Sequence, residues 1–554
     1  MMGISYGGFT ALQVATTQPP HLRSIIPMHF TDNRYTDDCH YVGGHPRLYY
    51  DIGFYGNFMV AYNALPPAPE WCPDWAQIWQ QHLDGNQPFL LSWLAHQPDG
   101  PYWRHGSVGD IADRIQCPVF MIGGWGDGYR NAPLRLYDEL TCPKRVLIGP
   151  WNHAVPDAAT PGPRVDHLQE VVDWLDHWCG RTLDEHAKGT KTAPIVVYEQ
   201  RFDPPVDPDR THQPGRWRAE TSWPPMGLEE VTYYFGAASS LNPQPGDDAS
   251  DQLRYDATVG TTAGLWSAGV PFGLSSDQRP DEALSTTYTT APLTESVHIL
   301  GRPTVHLHAA TSATVLGFVA SLSDVAPDGS SQLVAKGILN ATRRDSLTEP
   351  QPLVPGEEYE LQIEVDTTSW HFQPGHRMRV SIANADWPNV WPTPEPAVST
   401  LHHGHGSPSR LTLPTVPATS AVQAPTFADA PVGPTPHRDD ATPPTWRIER
   451  DALSRQAWVS YHFAYTDRVN ATTTVQRTYD FSTHVDPDAP DQASAYGTHT
   501  SRITRPSEIV DAVSATTVRG TATHFHVTIT VDVKVNGHEH FTNAWTQSFP
   551  RILC

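Results

Sequence analysis

The stretch that decides the reading is residues 1–15, MMGISYGGFTALQVA. Gly3-Ile4-Ser5-Tyr6-Gly7 fits the pattern G-x-S-x-G, in which a sharp turn between a strand and a helix displays a serine. Gly7-Gly8 lets the following helix pack closely on a sheet, and small and apolar residues continue at helical spacing until Pro19-Pro20 stops it. A serine hydroxyl is a poor nucleophile until a neighbouring base takes its proton, so the motif calls for a histidine and an acid downstream. It also calls for a buried strand in front of the turn, where only Met1 and Met2 stand.

Working outward, two later stretches fill the empty roles. PVFMIGGWGDGY (118–129) reads as a buried strand running into a glycine turn, with Asp127 just past its carboxyl end. RVLIGPWNH (145–153) repeats the arrangement with His153. Open α/β sheets collect their active sites at the carboxyl ends of strands, so both residues fall on the edge where Ser5 belongs. Taken singly, Asp127 is a turn-former before Gly128 and His153 is one of 28 histidines. The order Ser, Asp, His and the shared strand-end placement make them candidates for one triad. Asp138, Asp173, Asp176, His167 and His177 lie in helix-like runs and read as solvated faces. The pairs in HLH (306–308) and HFH (524–526) occupy polar strand faces, and HHGHG (402–406) reads as a loop. No metal and no cofactor is expected.

Texture divides the rest of the chain. With 554 residues, 18 tryptophans, 20 tyrosines and 17 phenylalanines, the sequence can bury several cores. Through residue 192 short apolar strands alternate with helices, which implies a parallel sheet covered on both faces. The Trp- and Pro-rich stretch at about 30–105 interrupts that alternation as an inserted helical cap. From 193 to 415 strand-length runs separated by Gly, Pro and Asp read as an antiparallel β-sandwich of jelly-roll type. A Pro- and Ala-rich linker at 416–445 leads to a last β region, 446–554. There Phe525, Val527, Ile529, Val531, Val533 and Val535 share one strand face ahead of an Asn536-Gly537 hairpin turn.

A formal charge of −23 without a Lys/Arg-rich run argues against nucleic acid or anionic membrane as a partner. The six cysteines contain no C-x-x-C pair and suit free thiols in a reducing compartment, so a cytoplasmic location is expected. Self-association into a homo-oligomer is left open.

GISYGGFTALQVA, GGWGDGY and GPWNH, in that order, resemble the cocaine esterase / X-Pro dipeptidyl-peptidase family of serine hydrolases. The likeness continues through PLTESVHILGRPTVHLH and FQPGHRMRVSIANADWPNVWPTP and covers roughly residues 1–415. It implies an α/β-hydrolase domain followed by a jelly roll, with Ser5 as nucleophile, Asp127 as orienting acid and His153 as base. The backbone N–H of Tyr6 would be one oxyanion donor. The substrate implied is a small ester or amide, or a short peptide cleaved after X-Pro. Peptide cleavage of that kind needs an acidic anchor for a free amine. Asp32, Asp37 and Asp38 are the candidates, although TDNRYTDDCHY reads first as a polar cap loop. Family members carry early strands and a second oxyanion donor, a tyrosine, ahead of the elbow, so the likeness implies an incomplete hydrolase that starts within the domain. The rival reading is a non-catalytic β-rich binding or assembly protein carrying a hydrolase remnant.

Overall fold

The computed structural model describes residues 1–180, 193–205, 211–262, 277–430 and 438–554. Strands β1 (Met2–Ile4) and β2 (Ile26–Met28) are joined by helix α1 (Tyr6–Thr16). The parallel sheet continues through Val119–Gly124, Lys144–Gly149 and Ile195–Arg201, each strand pairing with the one before.

These strands are apolar at successive positions because both faces are covered. Val119 and Met121 join the core under α1 and helix Ala132–Glu139. Phe120 and Ile122 join a separate core with Val171 and Trp174 of helix His167–Cys179. All four strand residues have no exposed surface. The alternation of side chains along each strand therefore feeds two cores of different composition.

The sheet neighbours β2 and Val119–Gly124 are separated in sequence by five short helices, Leu48–Gly53, Tyr55–Asn63, Trp75–Gly85, Phe89–Ala95 and Pro101–Gly106. Strand Ile195–Arg201 carries the change in texture, yet it pairs in parallel with Lys144–Gly149 and antiparallel with Gly215–Glu220. It is the hinge between the two textures. Beyond it the pairing is mainly antiparallel: Thr304–Thr311 lies on Glu358–Glu364, and Gly317–Val325 lies between Ser331–Asn340 and Arg377–Ala383.

Seven consecutive antiparallel strands from Arg438 to Pro550 form a separate sheet in chain order. Phe525, Val527, Ile529, Val531 and Val533 are buried on one face, with Val535 half-buried at the strand end. Asn536 and Gly537 both take positive φ, 51° and 82°, as a two-residue hairpin turn requires. The first of these strands starts inside the 416–445 linker stretch, of which 431–437 lies outside the described residues; 181–192, which ends the expected hydrolase segment, also lies outside them. Pro443 and Pro444 fit there because they fall in a register shift between Thr442 and Thr445, on an edge strand.

That sheet packs on the inserted helices. Phe54 stacks on Tyr479, Phe58 meets His499 edge-on, and Asn57 accepts hydrogen bonds from Ser514 and Thr516. The last residues lock the arrangement: Gln97 bonds both Pro550 and Ile552, while Asn340 and Thr342 donate to the Leu553 carbonyl.

Candidate active site

Ser5 stands between β1 and α1 with φ 59° and ψ −129°, a conformation that L residues seldom adopt and that costs on the order of 1–3 kcal/mol. Surrounding bonds hold it there: its N–H donates to Met28 and its carbonyl accepts from Gly8 and Phe9. Gly3 is required by close approach, since a Cβ there would lie 2.6 Å from the Gly7 carbonyl. Tyr6, 68% exposed, is the first residue of α1, so its N–H is among the amides that a helix start leaves without intrahelical acceptors.

Asp127 and His153 follow two adjacent parallel strands, and their turns are zipped together. Trp125 N–H donates to the Gly149 carbonyl and Gly126 N–H to the Trp151 carbonyl. Gly124 makes this possible, because a Cβ would sit 2.1 Å from the Trp151 oxygen. The result is a 3.0 Å hydrogen bond from His153 Nδ1 to Asp127 Oδ1. With Nδ1 so engaged, Nε2 is the nitrogen that can act as a base. An aromatic path links this histidine to the serine's helix: Tyr129 lies 5.6 Å from the His153 ring and 5.3 Å from Phe9 of α1.

His29 joins this pair, although the order Ser, Asp, His does not call for it. It follows β2 directly, at φ 46°, and its Nδ1 lies 2.8 Å from Asp127 Oδ2. Its Nε2 lies 2.9 Å from the carbonyl of Ala154, the residue after His153. The ring has no exposed surface. The strand-end rule that selected Asp127 and His153 selects His29 equally; the signal was its position after SIIPM. Burial alone would raise the Asp127 carboxyl, but the imidazoles of His153 and His29 reverse that and hold it well below the usual carboxylate range.

The three candidate amine anchors are all engaged. Asp32 and Asp37 both grip Arg135, at 2.9 and 3.0 Å, and Asp38 pairs with Arg34 at 2.9 Å. Burial would raise Asp37, yet Arg135 holds its carboxyl down at about 2.

Two of the clusters compact enough to hold a metal already have bonded partners. In His29–Asp127–His153 the hydrogen bonds above account for the geometry. In Glu199–His298–His371 the carboxylate is held by Arg216 at 2.6 Å and His298 at 2.9 Å. His306 and His308 face Glu360 and Glu358 across a strand pair. Asp138, Asp173, Asp176, His167 and His177 all lie on helices, but His167 is not on a solvated face: it is buried beside Asp157 at the start of its helix.

Residues 1–155 match the model for X-Pro dipeptidyl-peptidase (S15 family), and residues 188–423 match that of the X-Pro dipeptidyl-peptidase C-terminal non-catalytic domain. The chain belongs to the X-Pro dipeptidyl-peptidase / cocaine esterase family. It is 29% identical over 351 residues to a Mycobacterium bovis protein named as a serine esterase, covering 57% of this chain and 52% of that one. The chain thus spans about half the length of that relative. Cocaine esterase from a Rhodococcus species is 24% identical over 475 residues, 75% of this chain and 80% of that one. A solved α-amino acid ester hydrolase superposes with a TM-score of 0.60 at 20% identity, over 75% of this chain and 76% of that one. A thaumarchaeal aminopeptidase gives 0.59 at 19% identity over the same shares. These two structures support an α/β-hydrolase fold followed by a β-rich region. Among the described residues, no helix is long and apolar enough to cross a membrane.

Proposed function

We propose that this chain carries the acyl-transfer centre of a serine hydrolase acting on a small ester or amide. The observation that carries the reading is the Asp127–His153 hydrogen bond at the strand edge that also bears Ser5 in its strained turn. His153 Nε2 takes the Ser5 hydroxyl proton as the oxygen attacks the substrate carbonyl. The Tyr6 N–H stabilises the oxyanion, and His153 returns the proton to the leaving group. Water then releases the acyl group by the same steps in reverse order, with His153 again as base. No cofactor enters this chemistry.

The engaged state of Asp32, Asp37 and Asp38 favours an ester or simple amide over a dipeptide with a free amine, because that amine would have to displace a half-buried guanidinium from its buried carboxylate. The hydrolase domain, with a cap at about 30–105, precedes the shared strand Ile195–Arg201; the jelly roll runs from that strand to about 415, a linker begins at 416, and the further β region starts at Arg438. Nucleic acid and membrane are not partners of a surface with a net charge of −23. The free cysteines suit the cytoplasm.

A fluorophosphonate probe tests the reading. It should label Ser5, and Ser5→Ala should abolish the labelling. Labelling at another residue, or undiminished in Ser5→Ala, would overturn the assignment.

A further inference from the structure

We infer that His29 is a positioning residue: a buried, doubly protonated imidazolium that clamps the acid Asp127 to the loop bearing His153. The inference rests on the serine-hydrolase reading for its consequence, but not for its geometry. Each ring nitrogen of His29 faces an oxygen that only accepts. Nδ1 lies 2.8 Å from a carboxylate held ionised, and Nε2 lies 2.9 Å from the Ala154 carbonyl. A neutral imidazole has one bare nitrogen, which would point its lone pair at one of these oxygens. Only the imidazolium satisfies both bonds, and in a site with no exposed surface an unmade bond is costly. Asp127 supplies the compensating charge.

The backbone prepares this ring. His29 adopts the left-handed region, and its N–H donates to the Ile122 carbonyl of the strand that leads to Asp127. One side chain thereby ties together the ends of three strands: its own, that of Asp127 and that of His153. The clamp also changes the electrostatics of the base. In a simple triad the imidazolium formed during attack faces an anion. Here Asp127 is shared, and the His29 ring lies 5.4 Å from the His153 ring. The titratable groups packed on His153 are Asp127 from the turn after Val119–Gly124, His29 from the end of β2, and Tyr129 from the turn before helix Ala132–Glu139. Of these, His29 alone is cationic. Its charge acts against the positive charge that His153 gains during attack.

His29→Asn isolates the charge. An Asn amide can keep a donor near the position of Nδ1, and Asn tolerates positive φ. His29→Ala removes donor and charge together. The rate at which a fluorophosphonate labels Ser5 is followed against pH for all three chains. In His29→Asn the acid limb should move to higher pH, by roughly one unit for loss of a nearby cation. Its plateau should recover most of what His29→Ala loses. An unmoved limb, or an Asn plateau no better than that of Ala, overturns the inference. A second readout needs neither variant nor activity. In the unsubstituted chain labelled with 15N-histidine, both His29 ring nitrogens should carry hydrogen at pH 7.5. One bare nitrogen overturns the inference even if Ser5 labels well. Failure of Ser5 to label defeats the hydrolase reading and leaves this second measurement to decide the state of His29.

Discussion

Asp127 holds two histidines at once, and this changes what its substitution should do. In an ordinary triad, replacing the acid by its amide leaves the fold intact and disturbs only the imidazole tautomer, at a cost on the order of 10,000-fold in kcat. Here the same change strands a buried cation, because an Asn at 127 offers no charge to His29. Asp127→Asn should therefore lose activity by that factor and also lose about 3 kcal/mol of stability, the scale of a broken buried ion pair. Urea unfolding beside steady-state kinetics checks both. Asp138→Asn, on an exposed helix position, should do neither. If Asp127→Asn unfolds at the unsubstituted midpoint, Asp127 and His29 do not form an ion pair. The Asp127–His153 pair was legible in the sequence because the chemistry expected of a serine at Ser5 prescribes residue types in order. His29 was not, because nothing in that order demands a second histidine, and its role appears only when the strand ends are seen side by side.

Strands and helices were legible where the pattern was strict. The apolar run of Val119–Gly124, the helix after Ser5 and the Asn536-Gly537 hairpin all form as their periodicity and turn chemistry require. Assignment of strands to sheets was not legible, since Ile195–Arg201 has the texture of the β-rich region and the pairing of the parallel one. Register between strand ends is likewise invisible in sequence, and it is what sets the site. Gly124 offers the test. An Ala there brings a methyl within 2.1 Å of the Trp151 carbonyl and must push apart the turns that carry Asp127 and His153. Overpacking of this kind costs roughly 1–3 kcal/mol, and a misplacement of about 1 Å lowers catalysis about 100-fold. Gly124→Ala should show both effects, read by thermal unfolding and by the Ser5 labelling rate. Gly85→Ala is the control, since no atom lies within 4 Å of a Cβ at that helix end. Equal behaviour of the two variants would mean that the zipped turns do not set the Asp127–His153 distance.

Across the whole molecule, the inserted helices and the last sheet share one core, and that junction buries titratable groups that couple folding to pH. Burial pushes the imidazoles of His45 and His499 down to about 3. In the unfolded chain they would take up protons near pH 6.5. Their contribution is therefore complete above pH 6.5 and is lost as pH falls toward 3. Asp281 works in the opposite sense: burial raises its carboxyl to about 6, so between roughly pH 4 and 6 the folded chain holds a proton that the unfolded chain has released. The buried pair of His40 and Asp51 binds about one proton in either state over this range, because burial lowers the histidine and raises the acid together. These groups leave a net uptake of about one proton on unfolding between pH 6 and 4, a slope of about 1.4 kcal/mol per pH unit. Below pH 4 the Asp281 term disappears. Asp37 and Asp127, both held low by their partners, then add uptake of the same sign as the two histidines. Stability should fall gently to pH 4 and then more steeply, with a slope about two to three times greater. Urea midpoints at half-unit steps from pH 7 to 3 measure the slope, and direct titration of proton uptake on unfolding checks its origin. His499→Gln should flatten the upper limb, because it removes one of the two histidines that set its sign. A chain equally stable at pH 7 and pH 3.5 would mean that the junction does not bury these histidines in neutral form.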